Sequence, residues 1–244
     1  TRNGKKLETK EMKTKPLTFL LALTFLFLFS GSSVVFGDDL QDGRDAYHRK
    51  DYKTAYKLVA PLAEQGVADA QNVLGVMYNL GRGVPQDYKE AVRLYRLSAE
   101  QGFAKAQFNL GAMYQDGQGV PQHYKEAVRL FRLAAEQGDA FAQYNLGWMY
   151  DKGKGVPQDD KEAVKWYRLS AEQGNAEAQL NLGFMYETGQ GVPQDRLLAH
   201  MWFNIAGSSG DEDAIEKRNV VEEKITPSQI EKAQEMARNW KPKK

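Results

Sequence analysis

The 244-residue chain contains no cysteine. That excludes a thiolate nucleophile, a disulfide framework and a cysteine-based zinc site. It also excludes a lipid-modified cysteine after an export signal. Histidine is scarce: His48, His123 and His200 stand apart, without the spacing of metal ligands or of a catalytic base, and read as structural or solvated. No GxSxG motif is present. Carboxylates are plentiful but fall where helix caps and helix-surface pairs are expected. Neither a cofactor nor a metal is expected, and no enzymatic residues stand out. Charge of one sign is lacking as well. Lys+Arg number 33 and Asp+Glu 32, a formal net charge of +1, which gives no electrostatic reason to expect a nucleic-acid partner.

Long hydrophobic runs are also missing, with one exception. Leu17 to Phe29 (LTFLLALTFLFLF) is uncharged and apolar over 13 residues, too short to span a bilayer comfortably. Lys13 and Lys15 precede it, and Ser30 to Gly37 is mostly small. This is the order of a secretory signal peptide. Residues 1–37 are therefore expected to be a signal, cleaved between Gly37 and Asp38, with Met12 as its natural start and residues 1–11 a spurious extension. An uncleaved membrane anchor is the alternative. Removing this segment takes away six basic and two acidic residues. Lys+Arg falls from 33 to 27 and Asp+Glu from 32 to 30, leaving a net charge of about −3. The expected location is periplasmic or secreted, without stable membrane insertion once the signal is gone.

What is abundant is repetition. Pro85, Pro121, Pro157 and Pro193 fall 36 residues apart. The strict period predicts a stacked-repeat architecture, in which each unit contacts only its neighbours. The expected units are a partial capping repeat over 38–66, full repeats over 67–102, 103–138, 139–174 and 175–210, and capping helices over 211–244.

Each unit reads as two helices. In the second, Ala104, Gln107, Leu110, Gly111 and Tyr114 share one face of a helix over about 104–115. Gly111 costs about 1 kcal/mol of helix propensity, and Gly75, Gly147 and Gly183 repeat that cost, which points to a packing need. Gly117 to Pro121 then turns the chain. A second helix runs over about 124–137. Asp87 with Glu90, and Asp159 with Glu162, have the spacing of a capping box. His123 replaces the aspartate in the second unit, so that cap is expected to be weaker. Gly102, Gly138, Gly174 and Gly210 are placed for left-handed helix caps. The second helix of the first unit buries Ala91, Leu94, Tyr95, Ser98 and Ala99. Its outer face carries Glu90, Arg93, Arg96 and Glu100, and Arg129, Arg132, Lys165 and Arg168 continue the cations. That row is either a basic binding stripe or a solvated face neutralised by its own glutamates. Pro61 lies inside a helical pattern and is expected to kink it. Asp211 to Lys224 reads as a degenerate first helix, and a last helix starts at Thr226-Pro227.

The motifs AQxNLGxMY, GxGVPQD and EAVxxYRxxAEQG resemble the Sel-one-like repeat family, relatives of the tetratricopeptide repeats, and the resemblance covers Val67 to Gly210. It implies a right-handed α–α superhelix that acts as a binding scaffold for a peptide or partner protein. It also implies that one face of the first helices lines the concave groove. Some cysteine-rich exported relatives are assigned β-lactam or cell-wall-fragment hydrolysis. That is the alternative function here, weakened because their helix pairs are stapled by disulfides.

Comparing the four copies separates scaffold from variation. Positions that differ fall at steps of three, four and three on the first helices: Asp69, Asn72, Val76 and Asn79; Lys105, Phe108, Ala112 and Gln115; Phe141, Tyr144, Trp148 and Asp151; Glu177, Leu180, Phe184 and Glu187. These steps place each set on one side of its helix. The candidate partner-binding residues are Lys105, Phe108, Phe141, Tyr144, Trp148, Asp151, Leu180 and Phe184. Three aromatics on one face of the third unit form either an interaction surface or core packed across repeats. Asn109, Asn145 and Asn181 either grip a peptide backbone or bridge adjacent units. The partner's identity and the oligomeric state are left open.

Overall fold

The computed structural model describes residues 38–208 and 210–243. The expected signal peptide and its cleavage point lie outside the described residues. Those residues form twelve helices and no strand: α1 (38–48), α2 (Tyr52–Glu64), α3 (Ala68–Leu80), α4 (Tyr88–Glu100), α5 (Ala104–Asp116), α6 (Tyr124–Glu136), α7 (Ala140–Lys152), α8 (Asp160–Glu172), α9 (Ala176–Thr188), α10 (Arg196–Gly207), α11 (Glu212–Glu222) and α12 (Pro227–Asn239). From α2 to α11 each helix packs on the next, in an α–α solenoid.

Helix ends follow from local chemistry. Asp87 and Asp159 each accept two backbone N–H groups of the following turn. Neither completes a capping box. The carboxylates of Glu90 and Glu162 turn outward to Arg93 and Lys165 instead, because an adjacent cation is a better partner than one more amide. A reciprocal box forms between Thr226 and Gln229 at the start of α12, with Pro227 inside the first turn. His123 still caps α6, its Nδ1 accepting the Glu126 amide at 3.1 Å. α2 continues through Pro61 to Glu64. At the end of α4, Gly102 takes φ +85° and the next amide, Phe103, reaches back to the Ser98 carbonyl, the bond that closes a Schellman motif.

Two devices join the helices. Within a unit, the first helix carries a glycine against an aromatic ring of the second. A Cβ added to Gly111 would lie 2.8 Å from Phe131, and Gly75, Gly147 and Gly183 meet Tyr95, Tyr167 and Phe203 in the same way. All four rings are buried. The helix-propensity cost is thus offset by close approach. Between units, buried glutamines form a relay. Gln107 donates to the Ala99 carbonyl of the preceding second helix at 3.3 Å and accepts from Gln137 at 2.7 Å. Gln71 and Gln143 repeat both bonds. Buried amides must be paired in this way or cost free energy.

The loop after each first helix packs onto the unit before it. A side chain at Gly83 would meet the Tyr52 carbonyl oxygen at 2.7 Å, at a φ of +78° that already favours glycine. The last helix breaks the pattern: α12 packs on α10 rather than on α11.

Candidate functional site

The first helices α3, α5, α7 and α9 present one side of the stack, and their side chains meet across units. Phe108 on α5 lies 5.9 Å from buried Phe131 and 6.1 Å from Phe141 on α7, between ring centroids. Asn109 donates to Asn72 of α3 at 2.9 Å, so it bridges two units. Asn145 instead donates to the Phe141 carbonyl of its own helix at 2.8 Å.

The variable positions divide by exposure. Phe141 is 61% exposed and Phe184 42%, and Lys105 is also exposed. Phe108, Tyr144, Trp148, Asp151 and Leu180 are half-buried. Trp148 packs on the core of both the third and fourth units. Tyr144 tilts over Tyr167 with centroids 5.9 Å apart, and burial raises its hydroxyl pKa above the ordinary value. Asp151 accepts from the Tyr167 hydroxyl at 3.3 Å and pairs with Lys152 at 3.0 Å. Leu180 packs against Phe203 and Val221. The face is therefore a graded surface, with an apolar floor tied to the core and two phenylalanines standing out from it.

At the N-terminal end of the same side lies a cavity of about 370 Å³, bordered by Gln41, Arg44, Tyr47, Asn72, Val76 and Lys105. Arg44 is paired with Asp69, which leaves Lys105 as the exposed cation on the rim.

The opposite side is built from second helices. The row of cations read from the sequence is committed to neighbours. Arg93, Arg129 and Lys165 pair with Glu90, Glu126 and Glu162 one turn earlier. The Arg129 fork, donating to Glu126, holds that carboxyl below its ordinary pKa. Arg96, Arg132 and Arg168 donate to the hydroxyls of Tyr114, Tyr150 and Tyr186 at 3.2, 2.5 and 2.9 Å. These arginine–tyrosine staples join each second helix to the next unit. Sequence reasoning passed over them, although the constant 18-residue separation was available as a signal.

The histidines have structural roles or face solvent. His48 is exposed and meets Tyr47 edge-on. His123 is a helix cap. His200 is fully buried, with Nε2 2.8 Å from Glu222. Among the described residues no group of three or more His, Asp or Glu is placed to hold a metal ion. Among those residues, too, no helix is long and apolar enough to cross a membrane.

A helical stack built from an internal repeat defines the class. The Sel1 repeat matches residues 68–103, 104–139, 140–175 and 176–211, and the chain belongs to that family. Its members are in general protein-interaction scaffolds. Among solved structures, the Sel1 repeat protein from Oxalobacter formigenes is 37% identical, with a TM-score of 0.66 over 72% of each chain. The protein c5321, a protective antigen present in uropathogenic Escherichia coli strains, is 30% identical with a TM-score of 0.57. There the match covers 86% of this chain and 54% of that one. A Sel1 repeat protein from Klebsiella pneumoniae shares the fold at 22% identity and a TM-score of 0.53, over 79% of this chain and 96% of that one. No curated protein matches.

Proposed function

We propose that this protein is an exported scaffold that binds a peptide or an extended segment of a partner protein along its first-helix side. The observation that carries the reading is Phe141, 61% exposed yet in ring contact with Phe108. An exposed aromatic supported from beneath by a rigid apolar floor is the form of an interface anchor, since little side-chain entropy is left to lose on binding. Phe184 offers a second anchor on the next first helix, and Lys105 with the neighbouring cavity supplies a polar end. The export assignment rests on the apolar segment Leu17–Phe29 and its basic flank.

The test uses a library of displayed peptides selected against the full chain, with binding then measured for Phe141→Ala and Phe184→Ala. Retained helical signal with at least about tenfold weaker binding, roughly 1.4 kcal/mol, is the expected result. Selected peptides that bind both variants as well as the parent would overturn the assignment of this face. Localisation is read separately, by fractionating cells that express the full chain and sequencing the N-terminus of the product.

A further inference from the structure

The final helix is seated where the repeat itself leaves a groove. α12 packs on α10, and the residues after it reach the C-terminal end of α8. Its Ala233 is fully buried, and Met236, Ala237 and Trp240 pack on a core that includes Ala171, Trp202 and Ile205. Trp240 meets Trp202 edge-on with centroids 6.1 Å apart. Beyond the helix, Pro242 covers Gly174, where an added Cβ would lie 3.6 Å from its ring. Lys243 then clasps Glu172 twice. Its amide donates to the Glu172 carbonyl at 2.7 Å, and its ammonium to the carboxylate at 2.7 Å.

The 36-residue period places the same groove elsewhere. Glu172 corresponds to Glu64 and Glu100, Gly174 to Gly66 and Gly102, and Ile205 to Leu97 and Leu133. Under α12, Ile205 is 7% exposed, whereas Leu97 and Leu133 are each 37% exposed. Nothing lies within 4 Å of a Cβ placed on Gly66 or Gly102. The groove between α2 and α4 holds a cavity of about 510 Å³ bordered by Glu64 and Leu97. The groove between α4 and α6 holds one of about 410 Å³ bordered by Glu100, Gly102 and Leu133. Glu64 and Glu100 are exposed. Between α6 and α8 the corresponding leucine, Leu169, is 39% exposed, Glu136 is exposed and nothing lies within 4 Å of a Cβ placed on Gly138, so that groove is open as well, with Trp166 standing where Trp202 lies under α12.

We propose that the α2–α4, α4–α6 and α6–α8 grooves are docking sites for an amphipathic helix of a partner protein that ends in an aromatic residue and a basic tail. The chain shows the required chemistry on itself: small and aromatic side chains over the groove floor, then a lysine on the acidic helix end. Glu64, Glu100 and Glu136 carry the complementary charge. One position sets the partner's helix apart from α12. Where α10 offers Met201, the open grooves offer Arg93, Arg129 and Lys165, each held by a glutamate, so the partner's helix is more polar at that turn. This surface is distinct from the first-helix side, and the two are tested separately.

The probe is a labelled peptide of residues 226–244 of this chain, titrated into the full chain by fluorescence anisotropy. Saturable binding is expected. It should weaken at least about tenfold in Glu64→Lys/Glu100→Lys/Glu136→Lys and in Leu97→Asp/Leu133→Asp/Leu169→Asp, and stay unchanged in Glu172→Lys and in Phe141→Ala. Helical signal and thermal midpoint, measured on each variant, separate loss of binding from loss of fold. Three outcomes overturn the proposal. The first is no saturation at about 1 mM peptide, the level of a very weak complex. The second is loss of binding only in Glu172→Lys, which would show exchange with the chain's own α12. The third is loss only in Phe141→Ala, which would move the peptide to the first-helix side.

Discussion

The side-chain amide of Gln137 donates to Oε1 of Gln107 at 2.7 Å, and Gln107 passes its own N–H to the Ala99 carbonyl of the preceding unit. One glutamine thus holds the end of its own second helix and the end of the one before. Gln107 is buried at 4% exposure, so water cannot take its place. Gln107→Ala removes a partner from a buried carbonyl and is expected to destabilise the stack by about 1–3 kcal/mol. Urea unfolding followed by circular dichroism would measure it. A change within error would show that the relay contributes little.

Gly111→Ala sets two effects against each other. Alanine favours the helix by about 1 kcal/mol, but its methyl would press on Phe131 at 2.8 Å, and overpacking typically costs about 1–3 kcal/mol. The ring is fully buried between helices, so packing is expected to win and stability to fall. The double variant Gly111→Ala/Phe131→Leu should recover part of the loss. A single variant more stable than the parent would refute the close-approach account.

Phe141→Ala and Trp148→Ala separate anchor from floor. Phe141 is mostly exposed, and its truncation should change stability by only about 0.5 kcal/mol. Trp148 packs on two units and should cost on the order of 2 kcal/mol. Thermal unfolding of the two variants side by side is the measurement. Equal losses would place Phe141 in the core instead.

Burial raises the hydroxyl pKa of Tyr95 and of Tyr167 well above the ordinary value of about 10. At pH below that value both folded and unfolded chains keep the proton, and the full stability is present. As pH rises above it, the unfolded chain loses the proton first and the folded state is destabilised. Stability is therefore expected to fall between about pH 10 and 12, and less steeply in Tyr95→Phe/Tyr167→Phe. Denaturant midpoints at several alkaline pH values check the slope. Identical slopes in parent and variant would assign the loss to other groups.

The repeat, the helix pairs and the packing role of the helical glycines were all legible in the residues, because a strict period writes the same local chemistry four times. Gly111 could be read as a close-approach site without knowing that Phe131 was what it approached. The capping boxes at Asp87 and Asp159 were half legible. The cap is local, but the choice of Glu90 and Glu162 to pair with a cation is a competition between neighbours that spacing cannot rank. The first-helix side was less legible. Phe141 and Trp148 occupy similar positions in the pattern of variation, yet one stands in solvent and the other is wedged between units.

Sequence alone determined that this chain stacks, since each amphipathic helix pair has an apolar face it can bury only against another copy. It also determined which positions the stack leaves free to vary. Tertiary structure decided which of those variable side chains remain exposed, because exposure depends on how the next unit sits, and no residue encodes that by itself. It likewise decided where α12 goes. The 36-residue period fixes the next helix only where the motif continues. Once it lapses, the apolar side of α12 turns back onto the core of α8 and α10, with Lys243 on Glu172.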